Sequence, residues 1–137
     1  MNENHIFVDT NVLIGYFVEQ QKDVAALNYI FSLKGKKLYT SSLAVAQVIS
    51  VLQKNQPNDT ITKFVTYLMG KLSIISFVEE DIKTALKLKG TDIEDNIQYA
   101  LSKKLKCYWF VTNNVKDYTS FLDIDVLLPT KVRKILQ

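Results

Sequence analysis

Three aspartates stand at places where a folded α/β chain would gather them. Asp9 closes the apolar run His5-Ile6-Phe7-Val8, and Asp117 ends the polar stretch that follows Tyr108-Trp109-Phe110-Val111. Asp95 opens a helical segment just before that second run. In open parallel sheets, function collects beyond the carboxyl ends of the strands, so these acids could converge on one edge. Carboxylates brought together repel one another and stay ionised only beside a cation. A hard divalent ion with oxygen ligands, Mg²⁺ or Mn²⁺, suits such a site; it takes one or two carboxylates and keeps several waters. Its chemistry is to polarise a phosphate and to lower the pKa of an attacking water. Each acid also has a purely structural explanation. Asp9 could be a strand-to-helix turn residue, Asp95 a partner in the capping of its helix by Asp92, and Asp117 the centre of an Asx turn.

The elements that must position these groups can be read along the chain. A buried strand over 5–9 is followed by Thr10 as N-cap of a helix over about 11–18. A second helix spans about 20–34, with Val24, Leu27, Ile30 and Phe31 at helical spacing, and Gly35 stops it. Residues 37–40 form a second strand, and Thr40, Ser41 and Ser42 offer caps for a helix over about 43–54. Gln56-Pro57-Asn58-Asp59 is a turn carrying a new N-cap for a helix over about 60–70 that ends at Gly70. Leu72-Ser73-Ile74-Ile75 is the third strand, 79–89 a helix closed by Gly90, and Asp92 caps a helix over about 93–105. Tyr108–Val111 is the fourth strand, Ile124-Asp125-Val126 a short edge strand, and Pro129 sits in the first turn of a terminal helix. Strands alternating with helices predict a three-layer α/β/α fold with a mostly parallel sheet of four to five strands. With no repeat, linker or low-complexity tract, the reading is one domain over 1–137.

Composition narrows the function classes. Hydrophobic residues make up 47% of 137 residues, enough for one real core, and the 23% charged content argues against disorder. Against 14 Asp and Glu stand 17 Lys and Arg, a net charge of +3 that permits a polyanionic partner without demanding one. Lysines cluster at 34, 36 and 37, at 83, 87 and 89, and at 103, 104 and 106. Singly these are solvated faces; together, beside an acidic site, they suit RNA or DNA. One cysteine, Cys107, excludes an internal disulfide, and with one histidine, His5, it cannot make a zinc site of the usual ligand count. Cys107 reads as a buried thiol rather than a nucleophile. The N-terminus lacks the basic region of a signal peptide and no apolar run matches a membrane span, so the expected location is the cytoplasm, with no membrane partner.

Three segments together resemble a PIN domain over nearly the whole chain: Phe7-Val8-Asp9-Thr10-Asn11-Val12-Leu13-Ile14, Asp92-Ile93-Glu94-Asp95-Asn96-Ile97-Gln98-Tyr99-Ala100, and Val111-Thr112-Asn113-Asn114-Val115-Lys116-Asp117-Tyr118. Many PIN domains are metal-dependent ribonucleases, VapC-like toxins of bacterial toxin–antitoxin pairs among them. The resemblance implies that Asp9, Asp95 and Asp117 are the catalytic acids and metal ligands for Mg²⁺ or Mn²⁺. It gives Asn114 as the polar residue before the last acid, Asn11 as a brace for the site loops, and Thr112 as a residue that orients metal-bound water. The implied partners are an RNA substrate, an antitoxin protein and a second copy of the chain in a homodimer.

One position departs from the family. PIN domains usually carry a Glu on the helix after the second strand, and here Gln47 matches it best. An amide keeps an oxygen acceptor but loses the charge, so metal affinity should change. The alternative reading is therefore a catalytically weak PIN-fold module that binds RNA or a protein. Two other classes fit worse. A haloacid-dehalogenase-like phosphotransferase needs a second Asp where Asn11 stands, and a nucleotide binder needs a glycine-rich phosphate loop that four scattered glycines do not make.

Overall fold

Two faces of apolar residues on alternating strand positions decide the architecture. In the first strand, Ile6 and Val8 enter one hydrophobic cluster and Phe7 enters another, so the strand is buried on both sides. The structure, a computed structural model, describes residues 1–89, 92–121 and 123–136. Its strands are β1 (Asn2–Val8), β2 (Lys37–Ser41), β3 (Ser73–Ile75), β4 (Cys107–Val111) and β5 (Asp125–Leu127). They form one sheet in the order β3-β2-β1-β4-β5, and all four pairings are parallel. The helices are α1 (Thr10–Phe17), α2 (Gln21–Ser32), α3 (Ser42–Leu52), α4 (Asn58–Lys71), α5 (Glu79–Lys87), α6 (Ile93–Lys104) and α7 (Pro129–Ile135). A 3-10 turn covers Val115–Tyr118.

The first cluster joins Val12 and Leu13 of α1, Leu27 and Ile30 of α2, Val48 of α3, Leu68 of α4 and Val132 of α7 to Ile6 and Val8. The second joins Ala85 of α5 and Ile97 and Leu101 of α6 to Phe7 and Phe110, whose rings stack with centroids 5.1 Å apart. Helices thus cover both sheet faces, giving the three-layer α/β/α arrangement. Parallel strands require such crossovers, and the helices they carry hide both faces from water.

Several boundaries differ from the sequence expectation for local reasons. Strand β1 begins at Asn2 rather than residue 5, because the Asn2 amide is taken by the Lys106 carbonyl at 2.8 Å. The N-cap of α1 is Asp9, not Thr10: the Asp9 carboxylate accepts the Thr10 amide at 2.8 Å. Pro57 occupies the cap position of α4, with no side-chain bond. Helix α2 ends at Ser32, and Gly35 lies beyond it in a turn at φ +79°, where a side chain would be strained. Helix α4 runs through Gly70 to Lys71. Gly90, expected to close α5, lies outside the described residues. Ser41 is the cap among the three offered for α3, and Asp92 caps α6 by accepting the Asp95 amide at 3.0 Å.

Cys107 and His5 are structural. Cys107 is fully buried, and that burial pushes its thiol up to about 12, which leaves no thiolate near neutrality. His5 is held through Nδ1, 2.9 Å from the Leu105 carbonyl. Among the described residues no helix is long and apolar enough to cross a membrane.

Candidate metal centre at the carboxyl edge of the sheet

The centre of the sheet places Asp9. It follows β1, the middle strand, and its amide is pinned by the Val111 carbonyl of β4 at 3.0 Å. Its side chain is 5% exposed. Oδ1 accepts the Thr10 amide at 2.8 Å and Gln98 Nε2 at 3.4 Å. Oδ2 accepts the Thr112 hydroxyl at 2.8 Å, Asn11 Nδ2 at 3.1 Å and the Tyr118 hydroxyl at 3.2 Å. All five donors are neutral. Burial pushes the carboxyl above its ordinary range, and these hydrogen bonds pull it back only in part.

Asp95 is joined to the same point. The Tyr118 hydroxyl lies 3.1 Å from Asp95 Oδ1, so one phenol bridges Asp95 and Asp9. A hydroxyl has one proton and can donate to only one of them at a time. Burial and then the two neighbouring carboxylates push the Tyr118 hydroxyl upward, so it stays protonated. Asp95 itself is moved to about 6, by partial burial first, then by the charges of Asp92, Asp9 and Asp117, with the Tyr118 bond acting the other way. Its carboxylate meets Tyr118 rather than reaching back to cap α6, whose cap is Asp92 alone.

Asp117 sits in the 3-10 turn beside Tyr118, exposed, and close enough for its charge to act on Asp95. Asn114 precedes that turn, with its amide bonded to Thr112 Oγ1 at 3.0 Å. Asn11 links the loops after β1 and β4: its Oδ1 takes the Asn113 amide at 2.9 Å, and its Nδ2 reaches both Asp9 and Thr112. Thr112 differs from the expectation. Its hydroxyl is fully buried, donates to Asp9, and accepts from Asn11 and Asn114, so it fixes the carboxylate and has no proton left to orient a water.

Gln47 lies at this edge too, in a chain of bonds the sequence did not reveal. Its Oε1 accepts the Thr10 hydroxyl at 2.6 Å, and its Nε2 donates to Glu94 Oε2 at 2.7 Å. The charge absent from Gln47 therefore stands next to it, on the first turn of α6. Gln98, 2% exposed, links the Ser41 hydroxyl, Thr10 and Asp9. Glu94, Gln98 and Tyr118 are the residues that spacing alone leaves unassigned. The one available signal is that Asp95 and Gln98 share a helix face three residues apart.

Among the described residues, no lysine or arginine is ion-paired with Asp9, Asp95 or Asp117. Nor, among them, are three metal-type side chains close enough to form a ready-made cage. Buried or half-buried carboxylates with only neutral donors, and with protonation favoured by burial and, at Asp95, also by neighbouring carboxylates, leave a deficit of positive charge. That donor set fits a hydrated hard cation that takes a carboxylate or two and keeps its waters, rather than a dehydrated, fully protein-ligated ion.

The lysine clusters do not all serve this edge. Lys36 precedes β2 and contacts Glu3 and Asn4 at the opposite end. Lys103 and Lys104 pair with Asp123 and Asp81 at the far end of α6, about 12 Å along the helix from Asp95 by helical rise. Helix α5 runs beside α6, with the Ala85 carbonyl held by Asn96, which brings Lys87 and Lys89 nearer the acidic end.

The parallel α/β sheet brings Asp9 and Asp95 together past the carboxyl ends of its strands. The chain matches the PIN domain over residues 6–121 and belongs to that family. It is similar to ribonuclease VapC1 of Aquifex aeolicus, at 30% identity over 136 residues that cover 93% of this chain and 92% of the relative. Among solved structures it resembles DNA-bound VapBC from Salmonella typhimurium, with TM-score 0.73 and 14% identity over 94% of this chain and 99% of the other. It also resembles a toxin–antitoxin complex from Klebsiella pneumoniae, with TM-score 0.69 and 18% identity over 90% and 97% of the two chains. At such identities the structures speak to the fold.

Proposed function

We propose that this chain is a single-domain, metal-dependent endoribonuclease that hydrolyses RNA phosphodiesters. The observation that carries the reading is the Asp9–Tyr118–Asp95 bridge at the carboxyl edge, with Asp117 alongside and no ion-paired cation among the described residues to balance them. Asp9, Asp95 and Asp117 would hold Mg²⁺ or Mn²⁺, which when bound supplies Lewis acidity toward the phosphate and the attacking water.

The chain's own residues have separable tasks. Thr112, Asn11 and Gln98 hold the Asp9 carboxylate in one orientation, which preorganises it. Tyr118 keeps Asp9 and Asp95 at a set separation. Asp95, whose carboxyl is raised to about 6 by partial burial and then by its acidic neighbours, is a carboxylate that a bound cation would hold ionised. Arg133 lines a groove between α2 and α7 and offers positive charge for a polyanionic strand.

The likeness to VapC1 and to VapBC complexes supports a toxin of a toxin–antitoxin pair, with an antitoxin and a second copy of the chain as partners. A reducing cytoplasm suits its single buried thiol. A second reading, a catalytically weak RNA- or protein-binding module, is favoured by Gln47, which offers an amide where the family resemblance leads one to expect a carboxylate. Incubation of the protein with mixed RNA and Mn²⁺ separates the two. Cleavage that Asp9→Asn abolishes supports the nuclease; RNA binding without cleavage by the parent protein supports the module.

A further inference from the structure

A buried carboxylate outside this centre has no part in the chemistry described so far. Asp23, in the first turn of α2, is 1% exposed. Its Oδ1 accepts Asn113 Nδ2 at 3.1 Å, and its Oδ2 accepts Lys22 Nζ at 3.1 Å. Lys22 also donates to Asn113 Oδ1 at 2.8 Å, so the three side chains close a ring. The carboxylate occupies a notch in α1 made by Gly15: a Cβ there would lie 1.8 Å from Asp23 Oδ2.

Burying a carboxylate is unfavourable, and an ion pair repays that loss only in part. An apolar residue could fill the same notch with less desolvation. What only a carboxylate does here is accept from two donors on different elements at once. One of them, Asn113, is tied through Asn11 to the candidate centre. Its amide donates to Asn11 Oδ1 at 2.9 Å, and Asn11 donates in turn to Asp9. The next residues are Asn114 and the turn that carries Asp117 and Tyr118.

We infer that Asp23, with Lys22 and Gly15, is a positioning device: it clamps Asn113 from the outside, as Asn11 clamps it from the inside, and so sets where the loop after β4 presents Asp117 and Tyr118 to Asp9 and Asp95. The inference rests on the cation reading above for its effect on metal binding, but the clamp itself can be tested without metal.

Two variants test it. Asp23→Asn places an amide nitrogen against either Lys22 or Asn113. Asn113→Ala cuts both side-chain bonds at a half-exposed position while keeping the backbone amide, and carries the test if the first variant does not fold. Hydrogen exchange at the Asn113 and Asn114 amides, and titration with MnCl₂ followed by calorimetry, are the readouts. The clamp predicts at least roughly tenfold faster exchange at those two amides, with Phe7 and Val8 unchanged, and at least roughly tenfold weaker Mn²⁺ binding, the scale of losing a support behind a metal ligand. A variant with a lowered melting temperature but parental exchange at Asn113 and parental Mn²⁺ affinity would show that Asp23 only stabilises α2, and would overturn the inference. If the parent protein binds no Mn²⁺, the cation reading fails, and the exchange rates alone decide the clamp.

Discussion

Replacing Asp95 by Asn should stabilise the metal-free protein at neutral pH. The change keeps the size and an oxygen that can accept from Tyr118, and it leaves the Asp92 cap of α6 intact. What it removes is a charge that the fold disfavours. The Asp95 carboxyl moves from its ordinary 3.8 to about 6, through burial and the charges of Asp92, Asp9 and Asp117. A move of that size is worth about 3 kcal/mol at face value. Asp95 is half-exposed, and solvent screening reduces this to about 1 kcal/mol, or roughly 3–5 °C in a chain of this length. The sign follows from the raised value: folding is helped when Asp95 is protonated, and that help is lost as pH rises through about 6. The advantage of Asp95→Asn is therefore largest at about pH 7–8 and shrinks as pH falls from about 6 to about 4. Saturating Mn²⁺ should reverse the order, since only the parent gains from the cation. Thermal melts in EDTA and in MnCl₂, at about pH 7.5, above that window, and at about pH 4.5, near its lower end, measure all of this. A variant less stable than the parent at the higher pH in EDTA would refute the repulsion argument and return Asp95 to a structural role.

Two further outcomes follow from the same geometry. Gln47→Glu puts a carboxylate against Glu94, now 2.7 Å from the Gln47 amide, so melts in EDTA should show a loss of a few degrees, on the order of 1 kcal/mol; the exchanged pair, Gln47→Glu with Glu94→Gln, should recover it, and failure to recover would mean the two side chains do not meet. Tyr118→Phe removes the shared hydroxyl and should cost about 1.5–3 kcal/mol in urea unfolding near neutral pH, the range for a hydrogen bond to a charged group; an unchanged urea midpoint would show that the bridge does not form in solution.

How much is legible in the sequence depends on the range of the interaction. The strand–helix alternation and the parallel sheet follow from local periodicity, and Asp92 as cap follows from its spacing to Asp95. Boundaries slip where a distant partner decides them, as at Asn2, whose amide belongs to Lys106. Residue type favours Thr10 as the cap of α1, yet the Thr10 hydroxyl is engaged by Gln47, 37 residues away, and the Asp9 carboxylate takes the Thr10 amide. The type of Thr112 allows it to orient a water; only its packing shows that its proton goes to Asp9. Glu94 and Tyr118 escape notice because their importance lies in partners 47 and 109 residues away. The Asp23 ring cannot be read at all, since a Lys-Asp pair at a helix start normally lies in solvent and nothing local says that Gly15 opens a notch for it.

The order β3-β2-β1-β4-β5 has a consequence for how the protein comes into being. The first strand to be synthesised lies in the middle, and one of its two neighbours, β4, ends at Val111. Until that strand has left the ribosome, Asp9 lacks the Val111 carbonyl that pins it and the Thr112 hydroxyl 103 residues away that orients it. Tyr118 and Asp117 come later still. Closing such long loops is slow, and the incomplete sheet has an open, apolar central strand until it happens. A nascent chain therefore carries Asp9 for most of its synthesis without the partners that orient its carboxylate, and any activity that depends on that orientation arrives together with completion of the fold rather than ahead of it.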